Sequence, residues 1–127
     1  MSWDFENFSP DEFACRYSGE HGISLELVKA LQGLRTRLGF PMKISSGYRS
    51  IEHPIEAKKL KGGVHTEGKA ADVLCFGEQA YLILVNAVDF GFTGIGVNQK
   101  GSLEQRFIHL DISDKYGDRV RPYVWSY

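Results

Sequence analysis

The sequence has little of several features that assign a protein to a class at once. Only two of its 127 residues are cysteines, Cys15 and Cys75, and their separation excludes the short spacings of a metal knuckle or a redox pair. We therefore expect two free thiols, with Cys75 buried as a small hydrophobic side chain. No apolar run approaches the length that a bilayer requires, so no membrane insertion is expected.

An excess of charge of one sign is also lacking. The chain has 15 basic and 16 acidic residues, mixed along its length, and a formal net charge of -1. This balance provides no extended field to attract nucleic acid or an anionic membrane, so we predict no nucleic-acid partner. The N-terminal residues lack the basic start and apolar stretch of a secretory signal, and we expect synthesis in the cytoplasm as a soluble product.

The length and the hydrophobic content of 43% indicate one domain over residues 1–127. Residues 24–38 carry the clearest helical pattern, because Leu27, Leu31 and Leu34 recur at spacings of three and four and Gly39 follows. The other predicted elements are a short helix from residue 10, helices over 52–60 and 78–90, and strands over 42–46, 70–75, 94–97, 106–112 and 120–127.

The predicted helices precede and interrupt the strands without regular alternation. This order favours an α+β fold with a small, mainly antiparallel sheet packed by helices over a parallel, doubly wound one. The last predicted strand is rich in aromatic residues. We expect Trp125 to pack in the core, and we keep Tyr123 and Tyr127 as candidates for lining a substrate site.

Three polar residues are candidate ligands of one metal site. His65 follows Gly62 and Gly63, so a sharp turn can bring it beside the strand that carries Asp72. On the later strand, His109 and Asp111 project to one side, which is costly unless that side opens on a cleft or an ion. Taken singly, a histidine or an aspartate is usually a surface residue. Together, two imidazoles and a carboxylate give zinc three ligands and leave one position open.

Three ordered motifs carry a family resemblance: Ser46-Gly47-Tyr48-Arg49-Ser50, His65-x-x-Gly68-x-Ala70-x-Asp72, and Phe107-Ile108-His109-Leu110-Asp111. With them the chain resembles the zinc D-alanyl-D-alanine carboxypeptidases and L-alanyl-D-glutamate endopeptidases of bacteria and their phages, which share a fold with the hedgehog signalling domain. The resemblance spans about residues 8–127 and is strongest to the short, single-domain, phage-type branch. It implies that His65, Asp72 and His109 bind Zn2+ and that Arg49 contacts the substrate.

The proton acceptor is the point at which the sequence departs from the family pattern. Many relatives carry an acidic residue three positions before the last histidine ligand, where this chain has Arg106. Asp111 is the first candidate, either to take the proton of the attacking water or to orient His109, and Glu104 is the second. The third alternative is that neither carboxylate reaches the water, which would favour a domain that binds metal without cleaving a bond.

The resemblance implies a zinc metallopeptidase, of D,D-carboxypeptidase or L,D-endopeptidase type, that hydrolyses amide bonds in peptidoglycan stem or cross-link peptides. We expect a monomeric phage or prophage endolysin that reaches the cell wall after release. A guanidinium such as Arg49 suits this chemistry because it can bind a carboxylate or steady an oxyanion. Two alternatives remain: a zinc-binding recognition module without activity, and a virion structural component.

Overall fold

The computed structural model describes residues 3–57 and 63–127. Secondary structure within these ranges comprises three α-helices, five β-strands and four short 3-10 turns. The helices are α1 (Leu25–Leu38), α2 (Pro54–Ala57) and α3 (Gly77–Asn86), and the strands are β1 (Lys43–Ser46), β2 (Ala70–Leu74), β3 (Gly94–Asn98), β4 (Phe107–Asp111) and β5 (Tyr123–Ser126). The 3-10 turns cover Pro10–Phe13, Val64–Glu67, Ala87–Phe90 and Leu103–Gln105.

The strands form one sheet in the order β1-β2-β4-β3-β5. All neighbouring strands are antiparallel except β3 and β5, which run parallel. The predicted α+β class with a mainly antiparallel sheet is therefore confirmed. On the central strand β4, Ile108 and Leu110 are buried in the hydrophobic core. Because side chains alternate along a strand, His109 and Asp111 lie on the opposite face of the sheet.

Helix α1 supplies much of the core. Its buried residues are Leu27, Val28, Leu31 and Leu34, which follow the predicted spacing. The helix ends where Gly39 adopts a left-handed conformation with φ of 75° and its N–H bonds the carbonyl of Arg35. Each fully buried leucine stabilises the fold by about 1.5 to 3 kcal/mol relative to an exposed one.

Two helix predictions and one strand prediction differ from the structure by more than one residue at an end, and the other predicted strands differ by one residue at an end. The predicted helix over 78–90 is α-helical only to Asn86 and continues as a 3-10 turn, because apolar spacing does not distinguish the two hydrogen-bond patterns. The predicted helix over 52–60 begins only at Pro54, as α2, because the residue before a proline is disfavoured in a helix; residues 58–60 lie outside the described ranges. The last strand begins only at Tyr123, since Pro122 has no N–H to donate to a ladder.

Both cysteines are free, as predicted, and Cys75 is buried, as predicted; Cys15 is buried as well. No helix in the described part of the chain has the length and apolar character needed to cross a bilayer.

Gly68 links the turn at Val64–Glu67 to the loop before α1. Its φ is 72°, its carbonyl accepts a hydrogen bond from Ser24 N at 2.8 Å, and a β-carbon here would collide with the carbonyl oxygen of Gly22. We predict that Gly68→Ala lowers the free energy of unfolding by about 2 to 4 kcal/mol, from backbone strain and overpacking together.

Gly39→Ala is the matched control, because Gly39 has a similar φ but open space around it. We expect a loss of about 1 kcal/mol there, from strain alone. Equal losses for the two variants in urea unfolding would contradict the packing argument.

Candidate metal centre

Pairing of two strands and one tight turn bring His65, Asp72 and His109 together. Asp72 on β2 and His109 on β4 are directly opposite in the antiparallel register. His65 lies in the 3-10 turn that ends at Gly68, two residues before β2 begins. The left-handed Gly68 lets the chain reverse there, so the imidazole of His65 returns to the strand pair.

The three side chains form a tight, buried cluster. The Nε2 atom of His65 lies 3.5 Å from Oδ1 of Asp72, and Nδ1 of His109 lies 3.3 Å from the same oxygen. One ligand atom from each residue lies within 4.8 Å of the other two, and all three residues are buried. In the described part of the chain, this is the group of side chains that could hold a metal ion.

The Oδ1 atom of Asp72 is the observation that tests the fit of a cation. This oxygen is buried and has no hydrogen-bond partner, although two imidazole nitrogens face it. Buried polar atoms are nearly always paired, so an unpaired carboxylate oxygen calls for a partner such as an ion. Two imidazoles and one carboxylate are a donor set that suits zinc.

The tautomers of both histidines are set by neighbouring acceptors. Nδ1 of His65 lies 2.7 Å from the carbonyl oxygen of Gly47, which can only accept, so this nitrogen must donate. Nε2 of His109 lies 2.7 Å from Oδ2 of Asp111 and donates to that carboxylate. The remaining nitrogen of each ring is therefore unprotonated in the neutral form and faces Asp72, as a metal ligand must be.

The electrostatics of the cluster favour a positive charge. Burial raises the pKa of the Asp72 carboxyl, but His109 and His65 in their protonated, charged form outweigh burial and hold that pKa well below its ordinary value. Burial lowers the pKa of His109, yet Asp111 and Asp72 raise it above the ordinary value. Asp72 is thus an anion at neutral pH, in surroundings that stabilise a cation.

Asp111 makes the hydrogen bond to His109 that an orienting role, one of the two roles considered for it, requires. The side chain is fully buried. Its Oδ1 accepts from Ser113 N and Arg121 Nε at 3.1 and 3.0 Å, and its Oδ2 accepts from His109 Nε2 and Arg121 Nη2, both at 2.7 Å. Burial raises the pKa of Asp111, but His109 and Arg121 lower it to about 2. With both oxygens doubly engaged, Asp111 has no position left for a reacting water.

The other acid candidate, Glu104, is exposed in the turn Leu103–Gln105 and is not among the residues that line the cleft described below. Arg106 donates from Nε and Nη2 to the carbonyl of Gly101, at 3.1 and 3.0 Å. Among the described lining residues, Asp72 is the one carboxylate. The geometry therefore gives no support to Glu104 as the proton acceptor.

A cleft of about 420 Å³ opens over the cluster. Besides the three cluster residues, its walls include cationic side chains and aromatic ones, namely Arg49, Arg119, Arg121, Phe107, Trp125 and Tyr127. The prediction that Trp125 packs in the core was wrong. Trp125 is half-buried, lines this cleft and is not among the residues of the hydrophobic core, because it lies on the same face of the sheet as His109. Tyr127 lines the cleft, whereas Tyr123 lies in a separate apolar groove.

Arg49 reaches the cluster from the loop after β1. Its Nη1 lies 3.2 Å from Oε2 of Glu56, its Nη2 lies 3.6 Å from Oδ2 of Asp72, and its side chain is only 14% exposed. Arg49 is therefore a part of the cleft wall, not a solvated turn residue. Glu56 is a buried carboxylate that the sequence analysis missed, because nothing in its local pattern separates it from the exposed acids of a short helix.

The comparison with known families agrees with this geometry. The family model described as peptidase M15 matches residues 6–111. The chain belongs to the peptidase M15 family. The match confirms the resemblance to the zinc D-alanyl-D-alanine carboxypeptidases, and peptidases of this family are zinc-dependent. It includes Arg49 and the three cluster residues and ends at Asp111, so β5 lies beyond it. No curated protein sequence matches the chain significantly.

The orientation of His109 by Asp111 can be tested through metal affinity. We predict that Asp111→Asn weakens zinc binding by about 10- to 100-fold, because the partner of a ligating histidine fixes its ring and tautomer. Competition against a chelator of known affinity measures the change. Asp89→Asn, which removes an exposed partner of Arg37, is the control and should bind zinc normally. Unchanged affinity in Asp111→Asn would rule out this role.

Proposed function

We propose that residues 1–127 act as one zinc peptidase domain that hydrolyses amide bonds in the stem or cross-link peptides of bacterial peptidoglycan. The observation that carries the proposal is the unpaired, buried Oδ1 of Asp72, with an unprotonated nitrogen of His65 and of His109 aimed at it, at the floor of a cleft. Family membership supports a metallopeptidase, and M15 peptidases act on peptidoglycan peptides. A phage or prophage lysis enzyme of the short, phage-type branch is the setting that we propose.

His65, Asp72 and His109 would hold the metal. When bound, zinc would polarise the scissile carbonyl and lower the pKa of a water molecule toward neutrality. The protein contributes the orientation of its ligands: Gly47 O holds the ring of His65, and Asp111 holds that of His109. Such partners keep the reacting geometry without reorganisation during the reaction.

Arg49 would bind the substrate. Glu56 and Ser46 fix its guanidinium on one side, and the same group lines the cleft. A guanidinium held in this way binds a carboxylate with directed hydrogen bonds or stabilises an oxyanion next to the metal. The arrangement therefore favours peptides that carry a carboxylate near the bond to be cut.

Metal removal tests the proposal directly. We predict one zinc per chain and clearing of purified cell walls in a zymogram, with clearing lost on chelation and restored by zinc. His109→Ala should bind no zinc and clear nothing, because it removes one of three ligands. His21→Ala is the matched control, since His21 is an exposed histidine paired with Asp11 and should retain both properties.

Cell-wall hydrolysis by metal-free His109→Ala would refute the proposal. A protein that binds zinc and cell walls but clears nothing would instead support the recognition module. The observation that favours this second function is the absence of any carboxylate except Asp72 among the described lining residues, with Arg106 at the usual acid position.

Substrate recognition by Arg49 has its own test. We predict that Arg49→Gln lowers kcat/KM by about 100-fold for a stem peptide with a free carboxylate, since a hydrogen-bonded charge pair is lost. The matched substrate is the same peptide with that carboxylate amidated. The wild type should prefer the free acid and Arg49→Gln should not. An unchanged preference in the variant would show that Arg49 does not bind the carboxylate.

A further inference from the structure

Four side chains form a closed ring of contacts that includes His109 of the candidate metal centre. Nε2 of His109 lies 2.7 Å from Asp111, and Arg121 binds both oxygens of that carboxylate, at 3.0 and 2.7 Å. The guanidinium carbon of Arg121 lies 5.3 Å from the centre of the Trp125 ring. The indole of Trp125 in turn lies 4.9 Å from the imidazole of His109, at an angle of 54°. The ring therefore begins and ends at a proposed metal ligand.

Two glycines on β3 make room for this ring. Gly94 is opposite Asp111 and Gly96 is opposite His109 in the β3–β4 register, and Gly96 is also opposite Trp125 on β5. A β-carbon at Gly94 would overlap the Asp111 carboxylate, and one at Gly96 would lie 2.6 Å from the indole. Neither glycine has a positive φ, so the backbone conformation does not require glycine at these positions; the space that the neighbouring side chains occupy does.

We propose that Arg121 and Trp125 are positioning residues for His109. The proposal rests on the metal centre of the proposed function. The hydrogen bond to Asp111 constrains one edge of the His109 imidazole, while the indole of Trp125 packs against that imidazole and limits its rotation. Arg121 joins the two restraints, because it holds the carboxylate and also lies over the indole. The family match ends at Asp111, so family membership assigns no role to either residue.

The surroundings of both residues argue against simple core packing. The neighbours of Trp125 on β5 are Val124, which is 62% exposed, and Ser126, which is also exposed, so this edge strand covers little of the core. The Arg121 side chain is 8% exposed, and a buried guanidinium is costly unless a carboxylate is held against it. The partners of Arg121 and of Trp125 that offset the cost of burial therefore belong to the ring of contacts that includes His109.

Cobalt binding tests the proposal, because Co2+ reports its ligand geometry through visible absorption bands. We expect Arg121→Gln and Trp125→Leu to weaken Co2+ and Zn2+ binding by about 10- to 100-fold and to alter the cobalt spectrum, as loss of partners to a ligating histidine does. Trp125→Phe keeps an aromatic face and should restore a substantial part of the affinity.

The chain offers close controls. Arg37 also pairs with a carboxylate, Asp89 at 2.6 Å, and also lies over an aromatic ring, Phe90 at 4.4 Å, but away from the cleft. Arg37→Gln and Trp3→Phe should lower stability without changing metal affinity or the cobalt spectrum. Gly96→Ala places a β-carbon against the indole of Trp125 without changing any of the four side chains, and it should weaken metal binding. Val97→Ala, on the same strand, should leave metal binding unchanged.

Each outcome of the binding measurements supports or overturns the positioning role of Arg121 and Trp125. Wild-type affinity and an unaltered spectrum in Arg121→Gln and Trp125→Leu would overturn the proposal while leaving the metal centre intact. If these variants do not fold, Gly96→Ala decides: weakened binding supports the positioning role and normal binding overturns it. A wild-type protein that binds neither cobalt nor zinc would overturn the metal centre itself, and the positioning role with it.

Discussion

The interaction on which the structure of the site depends is the one between a buried carboxylate oxygen and two imidazole nitrogens that face it without donating. Asp72 is anionic, buried on β2, and directly opposite His109 in the sheet. On the sides turned away from Asp72, His65 donates a hydrogen bond to a backbone carbonyl and His109 donates one to a carboxylate. A buried anion with lone pairs turned toward it is unfavourable without a cation. The three side chains therefore have the arrangement that a bound cation requires and could hold a metal ion, and the turn before β2 and the register of β2 with β4 bring them together.

The charges around the cleft are arranged in pairs that keep arginines ordered near the metal cluster. Each guanidinium in the cleft wall is held by a carboxylate, in the pairs Arg49–Glu56, Arg119–Glu67 and Arg121–Asp111. Pairing offsets the cost of burying the charges and fixes the direction in which the remaining N–H groups point. Ordered cations and aromatic rings line the same cleft, and this lining suits a carboxylate-bearing peptide, which is the substrate class in the proposed function.

Local pattern was enough to predict the parts of the molecule that depend on neighbours in sequence. The spacing of Leu27, Leu31 and Leu34 predicted α1, and strand alternation correctly put His109 and Asp111 on one face. Arg121 and Trp125 were missed because the parallel pairing of β5 with β3 brings them to the site, and no local signal specifies that pairing. The sequence did carry a signal that bulky groups lie close to β3. Two glycines in Gly94-Ile95-Gly96-Val97 weaken a strand, and glycines inside a strand often mark a close approach by another group. Glu56 had no comparable signal.

X-ray absorption at the zinc edge of the loaded protein tests the central claim most directly. The account predicts one zinc per chain with only nitrogen and oxygen neighbours at about 2.0 to 2.2 Å and scattering from two imidazole rings. In Asp72→Asn the loaded fraction should fall sharply, because the anionic ligand is lost. Sulfur neighbours at about 2.3 Å, a single imidazole, or full loading of Asp72→Asn would contradict a shell built from His65, Asp72 and His109.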